Sequence, residues 1–299
     1  MRQNTKYSRI GDLLTEGKRI LALKNIDSPA LDAALLLAET MGLSREKLII
    51  HNDCKADEVQ CKRYFDLLER RCSGECTAYI LGRKEFWGLE FSVTPAVLVP
   101  RPDTEILVKT ALAILRSDPY SPLSSTRRIL DLCTGSGVVA IALKHECPNL
   151  DVWASDISEE ALFIARKNAE ALGCPITFLQ GNLFDLFDKI PQFFFITANA
   201  PYVPSANIAF LPAEVKNEPR LALDGGPDGL DLIRLIITEA PLYLQARGNL
   251  VLEADPSQME TIAILLKGNG FSEPVLYKDL SGQNRIIAAS RREQSPDHK

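Results

Sequence analysis

The chain has 299 residues, of which 46% are hydrophobic and 24% are charged, and its net charge at pH 7 is −5. This length and composition provide a full hydrophobic core and indicate two domains. No signal-type segment and no uncharged apolar stretch of 18 residues occurs, so we expect no membrane association. The seven scattered cysteines predict a reducing, cytoplasmic location, and they offer no second ligand pair for zinc, so we expect no metal.

The charge distribution argues against direct nucleic-acid binding. Residues 1–100 carry 15 Lys and Arg against 14 Asp and Glu, and residues 101–299 carry 19 against 25. Neither part has the basic stripe of a protein that grips duplex DNA unaided. Arg70 and Arg71, with Arg83 and Lys84 nearby, are typical of a solvated face, with substrate docking as the alternative.

The pattern of apolar residues in the first part of the chain predicts a small bundle of amphipathic helices over residues 1–84. One apolar-periodic segment begins near Ser8, a second follows Ser28-Pro29 and ends at Gly42, and a third spans about 56–72. Residues 85–100 alternate around Gly88 as a β-hairpin does and form a linker between the domains. Periodicity alone leaves open whether the bundle recognises a substrate or only packs.

Residues 101–290 predict an α/β domain in which strands alternate with helices, the pattern of a mostly parallel sheet covered on both faces. The last two strands are close in sequence and predict an antiparallel edge hairpin. The predicted strands are 128–132, 151–155, 176–179, 193–198, 249–253, 275–278 and 285–290. Residues 291–299 form a polar tail that we expect to be disordered.

A glycine-containing loop, residues 133–137, joins the first of these strands to an apolar helix. Such a loop lets the backbone approach a cofactor closely, and the helix N-terminus adds N–H donors. Asp156 ends the second strand, where a carboxylate can accept both ribose hydroxyl protons, although it could instead cap the next helix. The same spacing fits dinucleotide binding, so the loop alone does not separate NAD from S-adenosylmethionine.

The segment Asn199-Ala200-Pro201-Tyr202 follows the fourth strand. The Asn199 oxygen and the Ala200 carbonyl can accept both protons of a planar nitrogen, and Tyr202 can stack on the flat group beside a methyl donor. Pro201 brings no competing N–H donor. An Asx turn after a strand is the simpler alternative.

The order of these parts favours methyl transfer over hydride transfer. Strand ends one to four each bring a residue to one rim, where ligands of open α/β sheets bind. A dehydrogenase would not need the fourth, and it would need a proton-relaying group. The three histidines, His51, His145 and His298, are poorly placed for that role.

The sequence resembles the HemK/PrmC family of protein N5-glutamine methyltransferases, which modify peptide chain release factors, over nearly its whole length. Besides the glycine loop, Asp156 and Asn199 to Tyr202, the resemblance rests on five stretches. They are Tyr79-Ile80-Leu81-Gly82 with Phe86-Trp87-Gly88, Pro100-Arg101-Pro102-Asp103-Thr104-Glu105, Glu218-Pro219-Arg220-Leu221-Ala222-Leu223, Gly225-Gly226 and Arg285. The motif at Asn199 is also found in adenine N6 methyltransferases, whereas the segment from Pro100 to Glu105 points to glutamine.

The resemblance implies a Rossmann-like, seven-stranded methyltransferase domain that binds S-adenosylmethionine, and a substrate-recognition role for residues 1–84. It also implies that the protein binds the Gly-Gly-Gln loop of release factors, and we expect a monomer. The implied cofactor-binding residues are Cys133, Thr134, Gly135, Ser136 and Gly137 around the methionine and ribose, Asp156 at the ribose, Asn182 and Leu183 at the adenine, and Asn199. The implied catalytic and substrate-binding residues are Asn199, Ala200, Pro201 and Tyr202.

Three positions depart from the family pattern. Ala200 replaces a usual proline but keeps the backbone carbonyl, and its position before Pro201 favours extended geometry. Cys133 replaces a usual glycine, which matters if that position needs a positive φ. Asn182 stands where an aspartate is common, so a hydrogen bond to adenine would be neutral and weaker. We expect a modestly weaker cofactor site that still works.

Three other functions stay open at this point. A related enzyme would methylate a glutamine of a ribosomal protein with the same catalytic segment. A nucleic-acid adenine N6 methyltransferase would share the motif at Asn199. A binding module would hold S-adenosylmethionine without catalysis.

Overall fold

The structure is a computed structural model that describes residues 9–117, 127–187 and 192–293. These residues divide into two compact units, which are treated separately below. The first comprises the residues up to Arg83 together with Pro212–Asn217, and the second comprises Lys84–Leu211 and the residues from Glu218 onward. Within the described ranges, no helix is both long and apolar enough to cross a membrane. Most of the predicted tail, 294–299, lies outside the described residues.

The first unit is helical, as the sequence predicts. Its helices are α1 (Ile10–Ala22), α2 (Pro29–Met41), α3 (Arg45–Ile50), α4 (Glu58–Cys72), α5 (Thr77–Leu81) and α9 (Ala213–Lys216). Pro29 opens α2 and Gly42 closes it with φ +64°, while Asp57 and Gln60 form a capping box at α4. The apolar faces of α1, α2 and α4 meet in one core around Leu13, Leu36 and Tyr64.

The burial of Arg71 contradicts the prediction that Arg70 and Arg71 lie on a solvated face. Its side chain is only 5% exposed, and its Nε lies 2.8 Å from Asp32 Oδ2 on α2. Its second terminal nitrogen pairs with Glu214 on α9. Burial acts to lower the pKa of Arg71, but the pairs with Asp32 and Glu214 outweigh it and raise the pKa. Arg71 therefore connects two helices of the bundle to a segment from much later in the chain.

A two-stranded hairpin stands at the start of the second unit, with β1 at Arg83–Phe86 and β2 at Leu89–Ser92. Its two turn residues, Trp87 and Gly88, have φ values of +56° and +70°. Positive φ at both central residues is the geometry that matches the twist of a tight hairpin. The hairpin predicted around Gly88 is thus confirmed, and its buried Phe86 and Phe91 pack into the core of this unit.

The second unit is built on a seven-stranded sheet. Its strands are β3 (Arg128–Leu132), β4 (Asp151–Asp156), β5 (Thr177–Gln180), β6 (Phe193–Ala198), β7 (Leu244–Glu253), β8 (Val275–Lys278) and β9 (Asn284–Ser290). Their spatial order is β5-β4-β3-β6-β7-β9-β8. The first five are parallel, whereas β9 is antiparallel to both β7 and β8. The predicted fold class, including the antiparallel edge hairpin, is confirmed.

Helices cover both faces of the sheet. Besides α9, the chain has α6 (Thr104–Ser117), α7 (Val138–Glu146), α8 (Glu159–Ala171), α10 (Asp231–Tyr243) and α11 (Met259–Gly268). One buried cluster joins the sheet to α6, α7 and α8, and the other joins it to α10 and α11. On one side of the adjacent strands β3 and β6 the sheet continues with β4 and β5, and on the other side it continues with β7, so the strand order reverses between β3 and β6. Ligands of open α/β sheets bind at such a reversal, beyond the carboxyl ends of the strands.

Candidate active site

A cleft lies at the carboxyl ends of β3 to β6. Its empty volume is about 1150 Å³, which includes open solvent at its mouth. Of the predicted site residues, those lining it are Cys133, Thr134, Gly135, Ser136, Asp156, Asn182, Leu183, Asn199 and Pro201. Gly137, Ala200 and Tyr202 are not among its lining residues.

Positive φ angles explain the two glycines of the 133–137 loop, and they show that Cys133 has a strained backbone conformation. Gly135 and Gly137 have φ values of +56° and +82°, and Cys133 has φ +54°. The left-handed region costs a residue with a Cβ roughly 1 kcal/mol or more, so the usual glycine would sit there without strain. Burial, together with Asp156 and Asp131, raises the pKa of the Cys133 thiol, which keeps it protonated and less reactive.

Gly137 has a packing role. A Cβ at this position would lie 3.0 Å from Ile141 Cδ1 and 3.2 Å from Ala165 Cβ, on α7 and α8. A glycine here therefore lets the two helices approach beside the loop. Gly137 supports the cleft without lining it.

Asp131 is a site residue that the sequence predictions missed. It is 2% exposed and lines the cleft. Its carboxylate accepts hydrogen bonds from the hydroxyls of Thr134, at 2.6 Å, and Thr197, at 2.7 Å. Burial, helped by the charge of Asp156, raises the pKa of Asp131 to about 6 against the opposing hydrogen bonds. Its position in the middle of an apolar strand run was the available signal.

Asp156 fastens the glycine loop to the end of β4. Its Oδ2 accepts from the Gly135 N–H at 2.8 Å, and its Oδ1 accepts from the Ser158 N–H at 3.0 Å. The cap of α8 is Ser158, whose hydroxyl accepts from Ala161, so the helix-cap interpretation of Asp156 is wrong. Burial raises the pKa of Asp156. Each carboxylate oxygen keeps a lone pair for a hydroxyl in the cleft.

The Asn199 side chain is oriented by the start of α6. Its Nδ2 donates to the Thr104 hydroxyl at 3.2 Å. Across the described ranges, nothing donates to Asn199 Oδ1 or to the Ala200 carbonyl. Asn199 lines the cleft, whereas Ala200, between the lining residues Asn199 and Pro201, is itself 1% exposed. Tyr202 is half-buried against the sheet core, and its carbonyl accepts from Gln258 at 2.9 Å. In this conformation the Tyr202 side chain packs against the sheet core and does not line the cleft.

Two segments quoted for the family resemblance also line the cleft, the first through Pro100, Arg101 and Thr104 and the second through Pro219, Leu221 and Ala222. Glu218, 4% exposed, ties them together because it accepts from the Val99 N–H at 3.2 Å and from the Arg101 guanidinium. Gly225 packs closely against the backbone that follows β6, because a Cβ at this position would be only 2.6 Å from the Pro201 carbonyl oxygen. Leu232, on α10, also lines the cleft and carried no signal in the sequence.

Comparisons with known proteins agree with this geometry. Residues 12–82 match the PrmC N-terminal domain family, and residues 129–216 match a methyltransferase domain family. A release factor glutamine methyltransferase of Moorella thermoacetica is 37% identical over 94% of this chain and 98% of its own length. The chain belongs to the release factor glutamine methyltransferase family. The Geobacter sulfurreducens member is 38% identical over 89% of this chain and 91% of its own.

Solved structures place the fold of this family member among methyltransferases. The catalytic domain of hMettl16, solved with an RNA hairpin from the MAT2A 3′UTR, superposes with a TM-score of 0.55 over 77% of this chain and 83% of its own, at 16% identity. A Thermus thermophilus 16S rRNA N2 G1207 methyltransferase, solved with AdoMet and guanosine, gives 0.51 over 70% and 50%, at 17% identity. At such identities the likeness is one of fold.

Proposed function

We propose that this protein transfers a methyl group from S-adenosylmethionine to the side-chain amide nitrogen, N5, of the glutamine in the Gly-Gly-Gln motif of peptide chain release factors. The observation that carries the proposal is the match, over nearly the full length of both chains, to relatives named for this activity. The site fits it, because two oxygen acceptors without partners, Asn199 Oδ1 and the Ala200 carbonyl, stand at the end of β6 beside the cleft.

The residues present suit S-adenosylmethionine. The backbone of Cys133 to Ser136 borders the cleft with no bulky side chain, and Asp156 offers its remaining lone pairs to a ribose. Asn182 and Leu183, which follow β5 and line the cleft, would flank the adenine. Asp131 and Asp156 put two carboxylates near the cavity, which suits a cofactor with a positive sulfonium. When bound, the cofactor supplies an electrophilic methyl carbon.

The contribution of the protein is then to hold the substrate amide. An amide nitrogen is a poor nucleophile because its lone pair is delocalised into the carbonyl. Asn199 Oδ1 and the Ala200 carbonyl would accept the two N–H protons and keep the nitrogen in line with the methyl carbon, which is catalysis by orientation. On accepting the methyl group the glutamine nitrogen would become cationic, and the two acceptors would stabilise that charge. One proton then leaves to water.

The finer assignments belong to this proposal as well. Residues 1–84 would recognise the release factor, Pro201 and Tyr202 would shape the glutamine site, and the enzyme would act as a cytoplasmic monomer without binding nucleic acid itself. Nothing in the cleft favours a ribosomal-protein or adenine substrate over a release factor. The relatives favour the release factor by name.

The test is direct. The full-length protein is incubated with isotopically labelled S-adenosylmethionine and unmethylated release factor, and the label is mapped by peptide mass spectrometry. A release factor whose Gly-Gly-Gln glutamine is changed to alanine serves as the substrate control, and Asn199→Ala serves as the enzyme control. A single label on that glutamine, absent from both controls, supports the proposal. Cofactor binding with no label on any release factor would overturn it and would direct the search to ribosomal proteins and nucleic acid.

A further inference from the structure

Glu253 is a buried carboxyl group at the catalytic end of the sheet that the reaction described above does not use. It is the last residue of β7 and is 1% exposed. Strands β6 and β7 are parallel, with Ala198 beside Leu252. The next pair along the two strands is therefore Asn199 and Glu253, whose side chains leave the same face of the sheet.

Thr104, at the start of α6, stands between these two side chains. Its hydroxyl oxygen accepts from Asn199 Nδ2 at 3.2 Å. Burial raises the pKa of Glu253 to about 7, and the Thr104 hydroxyl and the Asn199 amide near its carboxyl group act in the opposite direction. Arg285 and Asp103 add opposing charges around it. The Glu253 Oε2 oxygen has no hydrogen-bond partner within the described ranges.

The chemistry of these three groups fixes the direction of the hydrogen bonds that they can form. A carboxylate only accepts, and even when protonated it keeps acceptor capacity. Thr104 has a single hydroxyl proton, so when it donates that proton to Glu253 it can only accept from Asn199. The Asn199 group that faces Thr104 must then be the NH₂ group. The opposite end of the amide, Oδ1, is turned away from this pair.

We propose that Glu253 and Thr104 are positioning residues that fix the Asn199 amide with Nδ2 toward the protein and Oδ1 toward the substrate glutamine. The proposal rests on the function proposed above, because it states why Asn199 presents an acceptor. A reversed amide would offer Nδ2 to the substrate N–H group, donor against donor. With Nδ2 as a donor, the reversed Asn199 amide would bind the carboxylate of a glutamate side chain better than the amide of a glutamine. Glu253 would therefore also set the preference of the enzyme for glutamine over glutamate.

Two substitutions separate this role from simple packing. In Glu253→Leu, the Thr104 hydroxyl is free to donate to Asn199 Oδ1 and so to reverse the amide. We expect kcat to fall about tenfold, because a hydrogen bond from Thr104 to Asn199 Oδ1 would favour the reversed amide by the net worth of one hydrogen bond, with the Kd for S-adenosylmethionine unchanged. In the double variant Glu253→Leu, Thr104→Val, no donor remains to favour the reversed amide. Half of the molecules then hold the productive orientation, so kcat recovers up to about fivefold over Glu253→Leu.

Matched variants complete the design. Glu253→Gln keeps an acceptor oxygen and should recover part of the activity that leucine loses. Thr110→Val removes another buried threonine hydroxyl of α6 away from the site and should leave kcat unchanged. A second readout is binding of a release factor with glutamate in place of the target glutamine. Glu253→Leu should reduce the preference for glutamine at least about fivefold in the ratio of Kd values, while a merely structural role would move both Kd values together.

The outcomes are distinct. Glu253→Leu with wild-type kcat and wild-type preference for glutamine overturns the positioning role, and so does a double variant that is slower than Glu253→Leu. A wild-type enzyme that labels no release factor overturns the proposed function instead. In that event the positioning role is decided by NMR hydrogen exchange of the Asn199 side-chain amide, assigned by its loss in Asn199→Asp. Exchange at least about tenfold faster in Glu253→Leu supports the role, and unchanged exchange refutes it.

Discussion

Replacement of Arg71 by alanine should unfold the helical unit locally. The substitution leaves Asp32, 5% exposed, without its guanidinium partner, and its remaining contact with the Ser28 hydroxyl is long at 3.3 Å. Breaking a buried pair by removing one partner costs about 3–5 kcal/mol. The pair with Glu214 adds little, because that carboxylate is 33% exposed and screened by water. We therefore expect a loss near 3 kcal/mol, or roughly a 100-fold rise in the local opening constant.

Hydrogen exchange followed by mass spectrometry of the full-length protein measures this directly. Peptides covering α2, α4 and residues 212–217 should exchange roughly 100-fold faster in Arg71→Ala, while the strands of the sheet keep their protection. The matched control is Arg71→Met with Asp32→Leu, which removes both charges and fills the space, and which should lose much less stability. Unchanged exchange in Arg71→Ala, or a double variant as unstable as the single one, would refute the reasoning.

Three further predictions concern the cleft. Asn199→Ala should abolish turnover while sparing cofactor affinity in calorimetry, and an equal loss of both would count against the acceptor role. Ala200→Pro should keep at least half of wild-type kcat, because the carbonyl is retained; inactivation in the same assay would show a different loop geometry. Affinity for S-adenosylmethionine should rise as pH increases through about 6, because a sulfonium favours the ionised form of Asp131, whereas the neutral product S-adenosylhomocysteine should show a weaker trend. Equal pH dependence for the two ligands would contradict that assignment.

The sequence predicted the elements whose signals are local. Strands 128–132, 193–198 and 275–278 were predicted with their observed bounds, because each is a short apolar or β-branched run between clear breaks. The start of β7 was predicted five residues late. Residues 244–248 contain Gln245, Arg247 and Gly248, which do not alternate as a strand does, and the pairing with β6 is irregular there. The short helices α3 and α5 were missed for a similar reason, since one or two turns show too little periodicity.

The site residues that belong to a local sequence motif could be predicted. Those that the fold brings together from distant segments of the chain could not. The loop at Cys133, the carboxylate Asp156 and the amide Asn199 all line one cleft as expected. Asp131 and Glu253 look ordinary in sequence, and Thr104 was quoted only as part of the segment from Pro100 to Glu105. The importance of all three comes from burial and from neighbours more than 60 residues away. Arg71 was misread for the same reason, since its partner Glu214 is 143 residues further along the chain.

The membership of Pro212–Asn217 in the helical unit has a consequence for how such proteins can be recombined. A gene fragment that ends near residue 84 would encode a helical bundle without α9. The rest of the gene would encode the methyltransferase domain together with α9, which belongs to the helical unit. Exchange of the helical unit between relatives would have to carry two separated stretches of sequence at once. A single crossover near the hairpin would instead combine position 71 of one relative with position 214 of another, and so separate the partners Arg71 and Glu214. We therefore expect the two stretches of the helical unit to be inherited together.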